Sequence, residues 1–387
     1  MGKKKKNKKI VVGFVLNYNL KNWLGGVNVI ANLIKVLNLY YPNKYTFKIF
    51  VNKKDKKTAN IYFDKKNIIS TDLFNKKKIL YYFNLLKIFI FGRSKKFDDF
   101  LIKNNVNLIT HSTYLGVNSK IKNFYWIPDF QYLELKNMFS FTQRLLRHMN
   151  IKMGIDNCNK IILSSNHAKK IFLKYFSIKK NKIVISKFRF EFSSKNIIRR
   201  NIIRKKYDLP KYYFVIPNQF WKHKNYDLII KSINHIKKLK LNTNILIVIT
   251  GKNFDYRSKN YFNDIKLTIN RLKLNSNFKH LGIINFNDLL SIIKGSIALI
   301  NPSIYEGWSS TVEQAKALNK KILLSSIAVH KEQSNEATYF FKINDYLRLS
   351  NYLVNISNFK VKPSNSYRND VRTYARELNK LLQGSIN

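Results

Sequence analysis

One run constrains this chain more than any other: Asn301-Pro302-Ser303-Ile304-Tyr305-Glu306-Gly307-Trp308-Ser309-Ser310-Thr311-Val312-Glu313-Gln314-Ala315. The apolar stretch Ser296 to Ile300 precedes it and reads as a buried strand, and Ala315 to Leu318 continues it as a helix. A strand that passes through a short polar loop into a helix is the unit of an open α/β sheet. Ligands of such sheets bind where strands end and helices begin. The free N–H groups and the dipole of a helix N-terminus suit an anion. Ser309, Ser310 and Thr311 are small, so an anion can approach that backbone closely. Two carboxylates frame the turn. Ser310-x-x-Glu313 has the spacing of a capping box, which predicts a structural role for Glu313. Glu306 lies between the strand and Gly307, with Trp308 nearby, and is placed to hydrogen-bond a polyol.

The same alternation runs through the whole chain. Strands are expected at Ile10–Leu16, Phe47–Val51, Val106–Thr110, Phe124–Ile127, Lys160–Ser165 and Ile183–Ser186. A second series is expected at Tyr212–Ile216, Asn244–Thr250, Asn277–Leu281, Ser296–Ile300, Lys321–Ser325 and Ala337–Phe341. Helical spacing of apolar residues is clear in Val27–Tyr40, Tyr226–Leu239 and Asp345–Ile356, and Ser366–Leu382 reads as a terminal helix. Strands alternating with helices indicate parallel sheets and an α/β class. Phe188 to Pro210 is basic and irregular and reads as a connection between two halves.

With 387 residues, 45% of them hydrophobic, the chain can fill two cores of ordinary size. The single cysteine, Cys158, excludes an intramolecular disulfide and a cysteine-based metal cluster, and fits a reducing compartment. Net charge is +51. Lys, Asn and Ile are abundant together, as AT-rich codon usage would make them, yet the field is real. It favours anionic lipid, anionic small molecules or non-specific nucleic acid. The lysines are spread along the chain, which argues against a dedicated nucleic-acid surface. No signal peptide or myristoylation pattern opens the chain. Ile79–Phe91 is too short to span a bilayer, which takes about 20 residues. Flanked by Lys76, Lys77, Lys78, Arg93, Lys95 and Lys96, it reads either as a core helix or as one lying on a membrane surface.

Three further places carry polar groups at strand ends. Gly25-Gly26 precedes a helix, where glycine permits close ligand approach; it is not a G-x-G-x-x-G pattern. Pro217 to Asn225 sets Lys222, His223 and Lys224 between a strand and a helix, where they suit a pyrophosphate, although Lys-His-Lys is cheap in so lysine-rich a chain. His111 and Asp129 each follow a strand of the first half. No Asp-x-Asp occurs, so the sequence gives no support for a metal.

Glu306 and Glu313 are spaced as in the Glu-x7-Glu motif of glycosyltransferase family 4, the retaining group 1 transferases of GT-B fold. The run Asn301–Ala315, the run Ser325–Gln333 and the loop Pro217–Asn225 all resemble that family. The resemblance implies an α/β protein of two Rossmann-like, doubly wound parallel-sheet domains facing a cleft. Residues 1–195 would form the acceptor-side domain, 196–210 the connection, 211–365 the nucleotide-sugar domain and 366–387 a helix crossing back. It implies a nucleotide diphosphate sugar as donor, with no cofactor and no metal. Lys222, Lys224 and the Ser309-Ser310-Thr311 helix start would hold the diphosphate, with Asn218 or Gln219 near the usual arginine. Glu313 would hold the ribose, Ile284 would lie at the base, and Glu306 and Gly307 at the sugar. Gly25 and Gly26 would face the donor from the other domain. Glu306, His111 and Asp129 are the catalytic candidates, the last two on the acceptor side. Trp126–Gln131 resembles a subgroup in which a histidine follows; here Tyr132 follows. The implied acceptor is a glycan or lipid-linked glycan of a surface polysaccharide, met in the cytoplasm or at the inner face of the plasma membrane. The competing readings are a sugar-nucleotide epimerase of the same fold and a non-enzymatic basic protein that binds nucleic acid or anionic membrane.

Overall fold

The computed structural model describes residues 9–18, 20, 24–178, 180–241, 244–358 and 366–384. The basic tail before Lys9, part of the loop after Asn17 and the stretch up to residue 365 lie outside these. The chain divides into two compact units. Residues 1–130, 141–191 and 370–387 form the first, and 131–140 with 192–369 form the second.

In the first unit seven strands run β1 (Ile10–Leu16), β2 (Tyr45–Val51), β3 (Ile68–Ser70), β4 (Leu108–Ser112), β5 (Lys122–Ile127), β6 (Lys160–Leu163) and β7 (Ile183–Ile185). They pair in the order β3-β2-β1-β4-β5-β6-β7, all parallel. A parallel strand covered on both faces needs a near-continuous apolar run, and Ile10-Val-Val-Gly-Phe-Val-Leu16 is one. The helix after β1 begins at Leu24, so Gly25 and Gly26 lie inside its first turn and not ahead of it. The Ile79–Phe91 stretch is a helix, but it is not a core helix: only Tyr81, Asn84 and Ile88 are buried.

The second unit holds β8 (Phe214–Ile216), β9 (Ile247–Ile249), β10 (Phe278–His280), β11 (Ala298–Asn301), β12 (Lys321–Ser325) and β13 (Thr338–Phe341). Their order is β10-β9-β8-β11-β12-β13, again all parallel. Side chains alternate across a strand, and here the alternation separates two cores. Phe214, Ile216, Ile249 and Ile300 point into one cluster, while Val215, Val248, Leu299 and Ile322 point into the other. Within the expected irregular connection, Arg200–Tyr207 is a helix that buries Ile203 and is ended by Asp208 in the left-handed region at φ 47°. Residues 131–140 are held to this unit through Arg257. Its Nη1 donates to Gln131 Oε1 at 2.6 Å, and its guanidinium lies 5.4 Å from the Phe139 ring and 5.1 Å from the Trp221 ring.

Candidate functional site

The strand order of the second unit reverses between β8 and β11, which pair through Val215 and Leu299. Loops leaving such neighbours turn to opposite faces and open a crevice at the carboxyl ends of the strands. The two most polar loops of the unit meet there. After β8, Lys222–Lys224 form one tight turn, closed by Asn225 in the left-handed region at φ 56°. After β11, residues 302–309 lead into the helix Ser310–Ala317. The loops are tied by Ile304 N–H donating to the His223 carbonyl at 2.9 Å and by Asn218 Nδ2 donating to Asn301 Oδ1 at 3.3 Å.

The centre of this arrangement is an ion pair. Lys224 Nζ lies 2.5 Å from Glu306 Oε1, with each side chain only 11% exposed. The same oxygen accepts from Ser303 Oγ at 2.8 Å and Asn301 Nδ2 at 3.3 Å. Oε2 accepts from none of the described residues. Burial pushes the Glu306 carboxyl up, but Lys224 and then His330 outweigh it and hold it below its ordinary value. Glu306 is therefore a fixed anion. Lys222, two residues before its buried counterpart, is exposed.

Glu313 does not form the capping box. Ser309, not Ser310, is the N-cap residue and makes no side-chain cap. The Glu313 carboxylate is wholly buried. It accepts from Gln333 Nε2 at 3.0 Å and from the Tyr367 hydroxyl at 3.0 Å, with Lys316 Nζ at 3.7 Å. Gln333 also accepts from Ser309 N–H at 2.9 Å and donates to its carbonyl at 3.0 Å, so it clamps the helix start to the carboxylate. The amide of Ser309 is thereby occupied. Ser310 and Thr311 precede the first intrahelical bond, which Glu313 N–H makes to Ser309 O at 3.3 Å, so their N–H groups have no partner within the helix. A hydrogen bond to a buried carboxylate is worth about 1.5–3 kcal/mol. Tyr367→Phe should lower stability by that amount in urea unfolding; an unchanged midpoint would show that this bond contributes nothing.

Two histidines complete the site. His330 is fully buried with Nδ1 2.9 Å from the Ser325 carbonyl, a contact that places the proton on Nδ1. Its Nε2 is a buried acceptor without a partner among the described residues. Burial drives the imidazole down to about 4, against the opposing pull of Glu306, so it is neutral. His223 is buried too, and burial, then Lys224 and Arg257, lower it well below its ordinary value. His330 and Gln333 fall in a run that the sequence marks as a whole, but nothing local singles out either side chain.

The remaining candidates are dispersed. Gln219, half-buried, follows Asn218, and Ile284 packs half-buried against the second core cluster. Gly307 is half-buried in the loop after β11. Four candidates belong to the first unit. Gly25 is exposed, and a Cβ placed on it would meet nothing within 4 Å, while Gly26 is buried. His111 sits in the left-handed region at φ 50°, where β4 breaks register with β5, and its Nδ1 is 2.9 Å from Thr110 Oγ1. Such backbone costs about 1–3 kcal/mol for a residue other than glycine, and strain of this kind collects at functional sites. Burial lowers the His111 imidazole to about 3. Asp129 is half-buried just beyond the end of β5.

The coarse class of this site comes from its relatives. Residues 199–378 match the family of glycosyl transferases group 1. That span contains every strand of the second unit and the whole Lys224–Glu306 arrangement, so the match falls on the unit that carries the site, and the two parallel sheets have the GT-B fold of the solved structures it resembles. In sequence, the chain is 26% identical over 231 residues to the O-antigen chain mannosyltransferase RfbU of Salmonella typhimurium, and the match spans 59% of each protein. In structure it is similar to a glycosyltransferase from Rickettsia africae, with a TM-score of 0.67 at 17% identity over 98% of this chain and 99% of that one. HepE of Anabaena, solved with UDP and glucose, gives a TM-score of 0.68 at 12% identity over 96% and 99%.

Proposed function

We propose that this protein is a retaining glycosyltransferase of family 4. It moves a sugar from a nucleotide diphosphate sugar to a glycan or lipid-linked glycan during surface-polysaccharide assembly, at the cytoplasmic face of the plasma membrane. The observation that carries this reading is the buried Lys224–Glu306 pair at the reversal point of the second sheet. One cation and one anion side by side match a donor with a diphosphate at one end and a sugar that turns cationic at the other. Lys224, exposed Lys222 and the amides of Ser310 and Thr311 meet the leaving diphosphate, where negative charge grows as the sugar–phosphate bond breaks. Lysine supplies this charge in place of a metal. Glu306 offers Oε2 to the sugar hydroxyls, and its fixed charge lies beside the developing oxocarbenium. His330 Nε2 adds a neutral acceptor.

A double displacement would need two carboxylates about 5 Å apart across the bond. Glu313 cannot be the second, because it is buried and held by Gln333 and Tyr367. We therefore favour substitution on one face. The acceptor oxygen bonds the anomeric carbon as the phosphate oxygen leaves, and that phosphate takes the acceptor's proton. Glu313 would reach the ribose only once the Tyr367 hydroxyl gives up its place on the carboxylate, with Gln333 holding the other oxygen. Gly25 and Gly26 would approach the donor from the first unit, and His111 and Asp129 would serve the acceptor. The test is nucleotide release from UDP-, GDP-, ADP- and dTDP-sugars, with and without EDTA, beside calorimetric binding of each nucleoside diphosphate. Slow release from one donor, unaltered by EDTA, is expected. Binding of no nucleotide would overturn the reading, and release of an epimerised free sugar would favour the epimerase.

A further inference from the structure

The first unit carries an apolar face that the donor chemistry does not use. The Ile79–Phe91 helix buries Tyr81, Asn84 and Ile88, a single narrow stripe. Asn84 is fixed there by accepting from Ser94 Oγ at 2.6 Å. At 100° per residue, Ile79, Phe83, Leu86 and Ile90 line up on the opposite side, and all four are more than half exposed. Tyr82 and Phe89 flank them, equally exposed. A surface helix ordinarily turns polar residues outward. This one is apolar on both sides.

We propose that this helix lies on an anionic membrane with the Ile79, Phe83, Leu86 and Ile90 stripe in the lipid. Charge selects the partner. Lys77 and Lys78 precede the helix, Lys87 lies on its flank, and Arg93, Lys95 and Lys96 follow it; all are exposed. An apolar stripe with basic residues at its edges matches acyl chains bordered by anionic headgroups, and lysine stems reach from one to the other. A second copy of the chain would bring the same lysines against themselves, with +51 on each partner. Nucleic acid would satisfy the lysines and leave the isoleucines and leucine in water. Thirteen residues make a rod of about 20 Å, suited to lying in the interface.

A second helix of this unit also exposes apolar side chains. Phe141–Asp156 exposes Phe141, Leu145, Leu146 and Met149. Both helices end against the loop that follows β4: Asn118 N–H donates to Gly92 O at 2.9 Å and Gly116 N–H to Asn157 O at 3.0 Å. His111 lies one residue before the end of that strand.

The experiment is sedimentation with vesicles of phosphatidylcholine alone and of equimolar phosphatidylcholine and phosphatidylglycerol, for the wild type and a Phe83→Glu/Ile90→Glu variant. Wild type should partition into the anionic vesicles, and the variant roughly tenfold or more weakly. Both side chains are exposed, so thermal stability and vesicle-free nucleotide release should not change. Equal partitioning of the two proteins, or no partitioning of wild type, would overturn the proposal. So would a dimeric wild type made monomeric by the substitutions. The assay uses no donor, so its failure leaves the donor site untouched.

Discussion

Replacing Glu306 with glutamine should lower nucleotide release from the donor by about 10²–10³-fold, the usual consequence of removing one group aimed at transition-state charge. The substitution keeps the shape of the side chain. A glutamine oxygen can still accept from Ser303 and Asn301, so the loop after β11 should stay in place and the protein should fold. What disappears is the negative charge. The loss should fall on kcat more than on KM, since the sugar is neutral when bound and cationic only at the top of the barrier. The wild-type pH profile follows from the same site. Burial raises the Glu306 carboxyl, but Lys224 and His330 bring it below its ordinary value of 4.5. A group depressed on folding contributes stability above its unfolded value and loses it as pH falls through the folded one. Between about pH 5 and 8 the carboxylate is charged throughout, and release should show no acid limb from Glu306. A glutamine variant within a few fold of wild type would remove Glu306 from the chemistry.

How much of this was legible in the sequence depends on the range of the interaction. Strands β1 and β12 lie where the apolar runs Ile10–Leu16 and Lys321–Ser325 end, because a strand buried on both faces writes its own length. The helices Phe141–Asp156, Arg200–Tyr207 and Tyr261–Arg271 were not legible, and Lys95–Lys103 was legible only as a helical region around Asp98-Asp99. Each buries only one to three apolar side chains, and lysine, arginine and asparagine fill most of the rest, so helical periodicity is diluted. At the site, local pattern misplaced Glu313. Ser310-x-x-Glu313 satisfies the capping spacing, yet the carboxylate takes its hydrogen bonds from Gln333 and Tyr367, 20 and 54 positions away. Lys224 and Glu306 are 82 positions apart. Their two loops were recognisable separately, but their contact follows from strand order, which periodicity does not contain. Arg257 left no signal at all. Asp255-Tyr-Arg257 reads as a surface loop, and only the fold shows that guanidinium buried against Asp255 and three aromatic rings.

Lys224→Met should be the most damaging single substitution in the second unit, and the reason can be separated from catalysis. Removing one member of a buried ion pair leaves the other charged and uncompensated, at a cost of about 3–5 kcal/mol. Here the stranded group is Glu306, with 11% of its side chain exposed. Donor release should fall by at least about 100-fold, because the diphosphate loses its nearest cation. Adding Glu306→Gln removes the stranded charge, so the double variant should regain much of the lost stability while release stays low. The two stability effects are then strongly non-additive, as contacting residues should be. The pH dependence gives an independent check. Lys224 is the largest influence lowering the Glu306 carboxyl; without it, burial dominates and the folded value rises above the unfolded one. The folded single variant then binds the extra proton, so its stability should increase as pH is lowered from about 7.5 to 5. In the wild type the Glu306 contribution is flat over that window, because the carboxylate stays charged in it, and in the double variant it is absent. Urea unfolding of the three proteins at the two pH values measures all of this. A single variant whose stability follows the wild-type pH dependence over this window would mean that Lys224 and Glu306 are not coupled in the folded protein.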